Sequence, residues 1–114
     1  MSIDKEEFDE YSIEQKQKGP SGRVFYSEQG RALDFYWEYI VKGVSVTVPP
    51  PREWDTFCES HGTPWAKGRR DEILGRIGEF YVRRFSKGWF ERLFRIKVKS
   101  SYEIEDRWLT IRYQ

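Results

Sequence analysis

The only cysteine and the only histidine of the chain, Cys58 and His61, come nearest to catalytic chemistry in type and spacing. Three residues apart on a helix, a thiol and an imidazole share a face and could act as nucleophile and base. Trp54 and Phe57 fall on the same face, which favours a buried cysteine that packs as a small apolar side chain. No third group is spaced to orient the histidine, and two residues do not make a zinc site. A small hydrolase or transferase is therefore the weakest interpretation, and we expect no enzyme, metal or cofactor.

A second pair of residues that could take part in catalysis is Asp34 and Glu38. At 3.3 Å per residue, positions i and i+4 of a strand share a face but lie about 13 Å apart. The two carboxyl groups of a glycosidase are roughly 5–9.5 Å apart. The pair therefore indicates a polar outer face, or partners for basic side chains, rather than acid–base catalysis.

The basic region of the sequence suggests nucleic-acid or phosphate binding, since residues 67–100 hold eleven Lys and Arg against four Asp and Glu. Most of the charge on its predicted helix alternates in sign at steps of three and four residues, which predicts an ion-pair ladder: Arg69, Glu72, Arg76, Glu79 and Arg83. Arg95, Lys97 and Lys99 line one face of a predicted strand. They indicate either a phosphate-binding or acidic-partner surface, or a lysine-rich edge that prevents aggregation.

Arg70 and Arg84 fall near the two ends of the apolar face of that helix. An arginine there can extend its head group to solvent, or pair with a carboxylate such as Asp34 or Glu38 across the helix–sheet boundary. If either side chain opened into a cleft instead, it would be an anion ligand.

Hydrophobic alternation predicts the elements that must position these residues. Period two over residues 32–40 and 44–48 indicates strands, after a short strand at 24–26. Helical periodicity follows over residues 51–61 and 67–85. Alternation returns at 94–98, 102–104 and 109–113, with a hairpin turn at 105–107. Residues 1–21 are polar and acidic, and predict a tail or a frayed helix before a single domain at 22–114.

The predicted fold class is α+β. We expect a single antiparallel sheet, built from a meander of three strands, then two helices, then two or three C-terminal strands. Both helices pack on one face of that sheet.

Bulk properties narrow the class of protein. The chain has 114 residues, a net charge of +1 and 18% aromatic residues. A single cysteine fits a reducing, cytoplasmic compartment, and no apolar run is long enough to span a membrane. We expect a non-enzymatic protein-binding module, such as an inhibitor, a toxin-neutralising (immunity-type) protein or an accessory protein.

The candidate contact residues are surplus aromatics, because Trp, Tyr and Arg are enriched at interface hot spots: Tyr36, Trp65, Trp89 and Trp108. A nucleic-acid-binding domain that uses residues 67–99 is the alternative, and homodimerisation stays open.

Overall fold

The computed structural model describes residues 3–86 and 99–113 of the chain. Seven strands and two α-helices occur there, with a 3₁₀ turn between the helices. In chain order they are β1 (Ile3–Glu7), β2 (Ser12–Lys18), β3 (Ser21–Glu28), β4 (Arg31–Ile40), β5 (Gly43–Thr47), α1 (Pro51–Ser60), the 3₁₀ turn (Pro64–Ala66), α2 (Arg70–Ser86), β6 (Ser100–Ile104) and β7 (Trp108–Tyr113).

All seven strands form one antiparallel sheet in the order β1-β2-β3-β4-β5-β7-β6. Alternate residues of its central strands point to one face and are buried there, among them Phe35, Trp37 and Leu109. Both helices cover that inner face, while the outer face is open to solvent, as is usual for antiparallel sheets. The predicted α+β fold with one antiparallel sheet is confirmed.

Helix α2 crosses the inner face and ties distant strands together. Near its start Arg69 bonds to Glu28 at the end of β3, and near its end Arg83 bonds to Glu6 of β1. In between, the backbone of Gly78 lies against the ring of Tyr102 on β6 so closely that a Cβ atom there would meet ring carbons at 2.5 Å. The absence of a side chain at Gly78 permits this close helix–sheet packing.

The N-terminal prediction is wrong, because residues 3–18 form β1 and β2 rather than a tail or a frayed helix. Ile13 is their one fully buried apolar residue among the described inner positions, and it is followed there by Gln15, so the repeated apolar alternation that marks a strand is missing. Gln15 is buried at such a position, and Glu6 is satisfied there by Arg83 and Arg84 from α2. Ion pairs and backbone pairing with β3 stabilise this hairpin in place of an apolar stripe.

The other elements follow their sequence patterns closely. The two predicted helices are α1 and α2, although α2 begins at Arg70, after the 3₁₀ turn and the positive φ of 73° at Gly68. The predicted strand at 94–98 lies outside the described residues. Within the described part of the chain, no helix combines the length and the apolar character that crossing a membrane requires.

Candidate functional site

A cleft opens in the sheet because β4 is twice as long as its neighbour β5. The two strands pair only from Ile40↔Gly43 to Trp37↔Val46. Beyond that point the chain of Thr47–Pro50 diverges from β4, and a cavity of about 560 Å³ separates the two. We call this cavity the β4 cleft. It is bounded by Asp34–Tyr36 on one side, by Thr47–Pro50 on the other and by α1 at its base.

Prolines cause the divergence. Continuing the register of β4 with β5 would place Pro49 opposite Asp34, but Pro49 has no N–H to donate. Pro50 and Pro51 follow, and Pro51 begins α1. Proline suits that position because the first N–H groups of a helix have no partner within it. The same three residues therefore end β5 and start the helix that forms the base of the cleft.

The base of the β4 cleft is an aromatic wall on α1. Phe57 stacks on Phe35 of β4 with ring centroids 6.0 Å apart, and His61 packs on Phe57 at 4.2 Å. The helix is held in place by buried Trp54, whose Nε1 donates to the carbonyl of Ala66 at 2.9 Å. The wall is therefore largely apolar, with the imidazole at its outer end.

The charged side chains that line the β4 cleft neutralise one another. Arg23 lies 2.6 Å from Asp34, and Arg107 lies 3.5 Å from Glu53. Two arginines face two carboxylates, so the lining has no excess of either sign. This arrangement favours a partner recognised through backbone and apolar contacts over a strongly charged one.

Arg70 holds the far wall of the cleft in position. The residue is 8% exposed, and its guanidinium donates to three backbone carbonyls, those of Pro49 at 2.8 Å, Glu105 at 2.8 Å and Asp106 at 2.9 Å. Of the alternatives for Arg70, its pairing with Asp34 or Glu38 is wrong, and its head group does not extend to solvent either. Both carboxylates occupy outer-face positions of β4, on the other side of the sheet from α2.

Arg84 pairs with a carboxylate across the helix–sheet boundary, but with Glu6 rather than with Asp34 or Glu38. It lies 3.4 Å from Glu6 of β1 and donates to the carbonyl of Lys5. Asp34 and Glu38 are out of its reach for the reason that holds for Arg70. Neither Arg70 nor Arg84 opens as a free anion ligand.

Two of the predicted contact residues lie near the β4 cleft, one in its lining and one on the strand next to it. Tyr36 borders it and is 39% exposed, and Trp108 pairs with Thr47 from the neighbouring strand and is 48% exposed. Both point to the open outer face. Trp65 lies elsewhere, half-buried against Tyr26 and with the Arg31 guanidinium over its ring.

The arginines of α2 are engaged within the fold. Glu72 bonds to Arg69 at 2.8 Å and lies 3.3 Å from Arg76, which confirms the first half of the predicted ladder. Arg83 pairs instead with Glu6. Lys99 is exposed, whereas Trp89, Arg95 and Lys97 lie outside the described residues.

A second cavity, of about 650 Å³, lies between the β1–β2 and β3–β4 turns. Glu28 in its wall is mostly buried and bonds to Arg69 and to the hydroxyl of Tyr26. Burial raises the pKa of Tyr26 to about 12, and the hydrogen bond from Arg69 holds the pKa of Glu28 below its usual value. The network joins the β3–β4 turn to α2, and its charges compensate one another.

The cysteine and the histidine differ in environment. Cys58 is buried, and burial raises the pKa of its thiol, which opposes formation of a thiolate. His61 is exposed and its Nδ1 bonds to the carbonyl of Phe57 at 2.9 Å. Among the described residues no group of three or more His, Cys, Asp and Glu side chains is placed to hold a metal ion.

Sequence reasoning missed the β4 cleft, although one signal for it was readable. The alternation over residues 32–40 is longer than that over 44–48, and a two-residue turn joins the two strands. The first half of β4 must then lack a partner in β5. No such sequence pattern predicts the aromatic wall, because the wall depends on how α1 packs against β4.

Comparison of the chain with protein-family models finds no match, and neither do comparisons with curated proteins and with solved structures.

Proposed function

We propose that this chain is a non-enzymatic protein-binding module whose partner docks at the β4 cleft and at its aromatic rim, Tyr36 and Trp108. The observation that carries the proposal is a break in strand pairing beside two large exposed aromatic side chains. Interface hot spots are enriched in Trp and Tyr, which bury large areas at low cost in conformational entropy. An inhibitor, a toxin-neutralising (immunity-type) protein or an accessory protein in the cytoplasm belongs to this class.

The charge pattern of the described residues, which leave out 87–98, supports a protein partner over nucleic acid. Nucleic-acid binding depends on Lys and Arg that are free to neutralise phosphates. The arginines of α2 are compensated by carboxylates or bonded to carbonyls, and those that line the β4 cleft are compensated too. We therefore expect partner capture to persist when the salt concentration is raised.

The test compares single variants of the full chain in pull-downs from a cell lysate. Tyr36→Ala and Trp108→Ala each remove an aromatic ring from the rim. Phe8→Ala is the matched control, since Phe8 is 43% exposed in the turn between β1 and β2. We expect a captured protein that is lost with both rim variants and retained with the control. Capture that is equal for all three variants, or no capture at all, would refute the proposal.

A further inference from the structure

Strand pairing leaves part of the backbone of β4 without a partner. Gln29 and Gly30, with φ of 51° and 77°, form the two-residue turn between β3 and β4. In such a hairpin the flanking residues bond to each other, so the odd-numbered residues of β4 bond to the β3 side. The bond from the N–H of Tyr39 to the carbonyl of Pro20 at 2.9 Å confirms this parity.

The even-numbered residues of β4 therefore direct their N–H and C=O groups away from β3. For Glu38 and Ile40 the partners are in β5, but the paired region ends at Trp37↔Val46. The N–H and C=O of Asp34 consequently face the β4 cleft. Among the described strands, none pairs with Asp34 on that side.

Residues 47–50, the described segment across the cleft, do not close this gap. The residue that would pair with Asp34 is Pro49, which has no N–H, and the carbonyl of Pro49 already accepts a bond from Arg70 at 2.8 Å. Arg70 also bonds to the turn between β6 and β7, so the far wall is anchored on two sides. These bonds hold the far wall of the cleft apart from β4.

We infer that the β4 cleft binds an extended, uncharged peptide segment of its partner, which adds as a strand to Ala32–Tyr36. This inference rests on the proposed function and specifies its mode. Main-chain bonds supply affinity in strand addition, and pockets for alternate side chains supply specificity. The open length is five residues, or about 16 Å at 3.3 Å per residue.

The side chains that line the cleft define the peptide. Alternate residues of an added strand point to the same face as Phe35, where they meet the wall of Phe57 and His61. The peptide therefore carries an aliphatic or aromatic residue at that position. Its neighbours point to the outer face, beside Arg23–Asp34 and Arg107–Glu53, which are already paired. Neutral polar residues such as Ser and Thr suit those positions.

The experiment uses a displayed library of random linear eight-residue peptides, selected on the immobilised full chain. An enriched peptide is synthesised with a fluorophore and its Kd is measured by polarisation. N-methylation is then placed on each amide in turn. We expect binding to weaken by about tenfold or more at alternate amides only, the equivalent of one lost backbone hydrogen bond.

Two variants of the protein test the contribution of the Asp34 backbone to the main-chain hydrogen bonds with the peptide. Asp34→Pro removes the N–H that faces the cleft and leaves the bonds of β4 to β3 intact, while Asp34→Ala removes only the carboxylate. The ratio of their Kd values isolates the N–H, and we expect about tenfold weaker binding for proline. If Asp34→Pro does not fold, the binding of the N-methylated peptides to the unmodified chain decides whether the peptide adds as a strand.

The outcomes separate this inference from the proposed function. Selection without an enriched peptide, or an N-methyl series without alternation, overturns strand addition. The proposed function survives either result if Tyr36→Ala and Trp108→Ala still abolish capture of a protein. A chain that dimerises through the cleft in sedimentation, and binds no peptide, also overturns the inference, because the occupant is then a second copy.

Discussion

The two glycines of α2 provide a matched test of the helix–sheet packing. Gly75 and Gly78 lie one turn apart and both approach Tyr102. A Cβ atom at Gly75 would lie 3.5 Å from the Tyr102 hydroxyl, an ordinary contact, whereas one at Gly78 would lie 2.5 Å from a ring carbon. Ala is favoured over Gly within a helix by about 1 kcal/mol. The same substitution should therefore have opposite effects at the two positions.

We expect Gly75→Ala to stabilise the protein by about 1 kcal/mol, which raises Tm by about 4 °C in a domain of this size. For Gly78→Ala the gain in propensity opposes an overpacking cost of roughly 1–3 kcal/mol. Because the contact is with Cγ of the Tyr102 ring, which cannot move aside as the end of a flexible side chain could, we expect the free energy of unfolding to fall by about 1–2 kcal/mol. Thermal unfolding followed by circular dichroism measures both.

A double-mutant cycle tests the cause. In a Tyr102→Ala background the clash is absent, so Gly78→Ala should become stabilising there, as Gly75→Ala is in the unmodified chain. A Gly78→Ala protein that melts as high as Gly75→Ala would refute the close approach of α2 to β6. A loss that persists without the Tyr102 ring would show that another contact is responsible.

Two further predictions concern buried polar groups. Arg69 depresses the pKa of Glu28, so the stabilisation from this pair is present above pH 4.5 and is lost as the pH falls through the lower pKa of the folded state. Glu28→Gln should lower the free energy of unfolding by about 2 kcal/mol at pH 7. In denaturant melts at pH 3 the difference from the unmodified protein should be smaller, and an equal loss at both pH values would contradict this explanation. Arg70→Met leaves three carbonyls unsatisfied and should cost about 3 kcal/mol, against less than about 1 kcal/mol for the exposed Arg52→Met control. Equal melting temperatures for those two variants would show that the Arg70 bonds are dispensable.

The strands that alternate clearly in sequence are the ones that bury an apolar face. In β4, Leu33, Phe35 and Trp37 alternate with polar residues, so both the strand and its inner face follow from periodicity. In β1 and β2 the inner positions include Glu6 and Gln15. Partners on α2 satisfy Glu6, and those partners lie more than seventy residues away in sequence. Local periodicity contains no information about such a pairing.

The same limit applies to the candidate site. The helical wheel placed Arg70 correctly on the apolar face of α2, but its acceptors are backbone carbonyls, which every residue type possesses. The strand lengths of β4 and β5 contain the signal for the cleft. Its aromatic wall depends on the docking of α1, and the three prolines that set this docking predict only where a strand ends and a helix starts.

The composition of the sheet edge at β1 indicates why the β4 cleft, rather than that edge, is suited to an added strand. Proteins protect exposed strand edges with charged residues. The outer strand β1 follows this rule, since four of its five residues are charged in the sequence IDKEE. The part of β4 without a partner in β5 is Arg31–Tyr36, with two charges. Arg23 neutralises Asp34, and the Arg31 guanidinium lies over the ring of Trp65. An edge open to every other chain would be an aggregation hazard with this composition. Placed inside the sheet, between Pro49 and the α1 wall, it admits only a single narrow segment, and this confinement makes an unprotected edge compatible with selective binding.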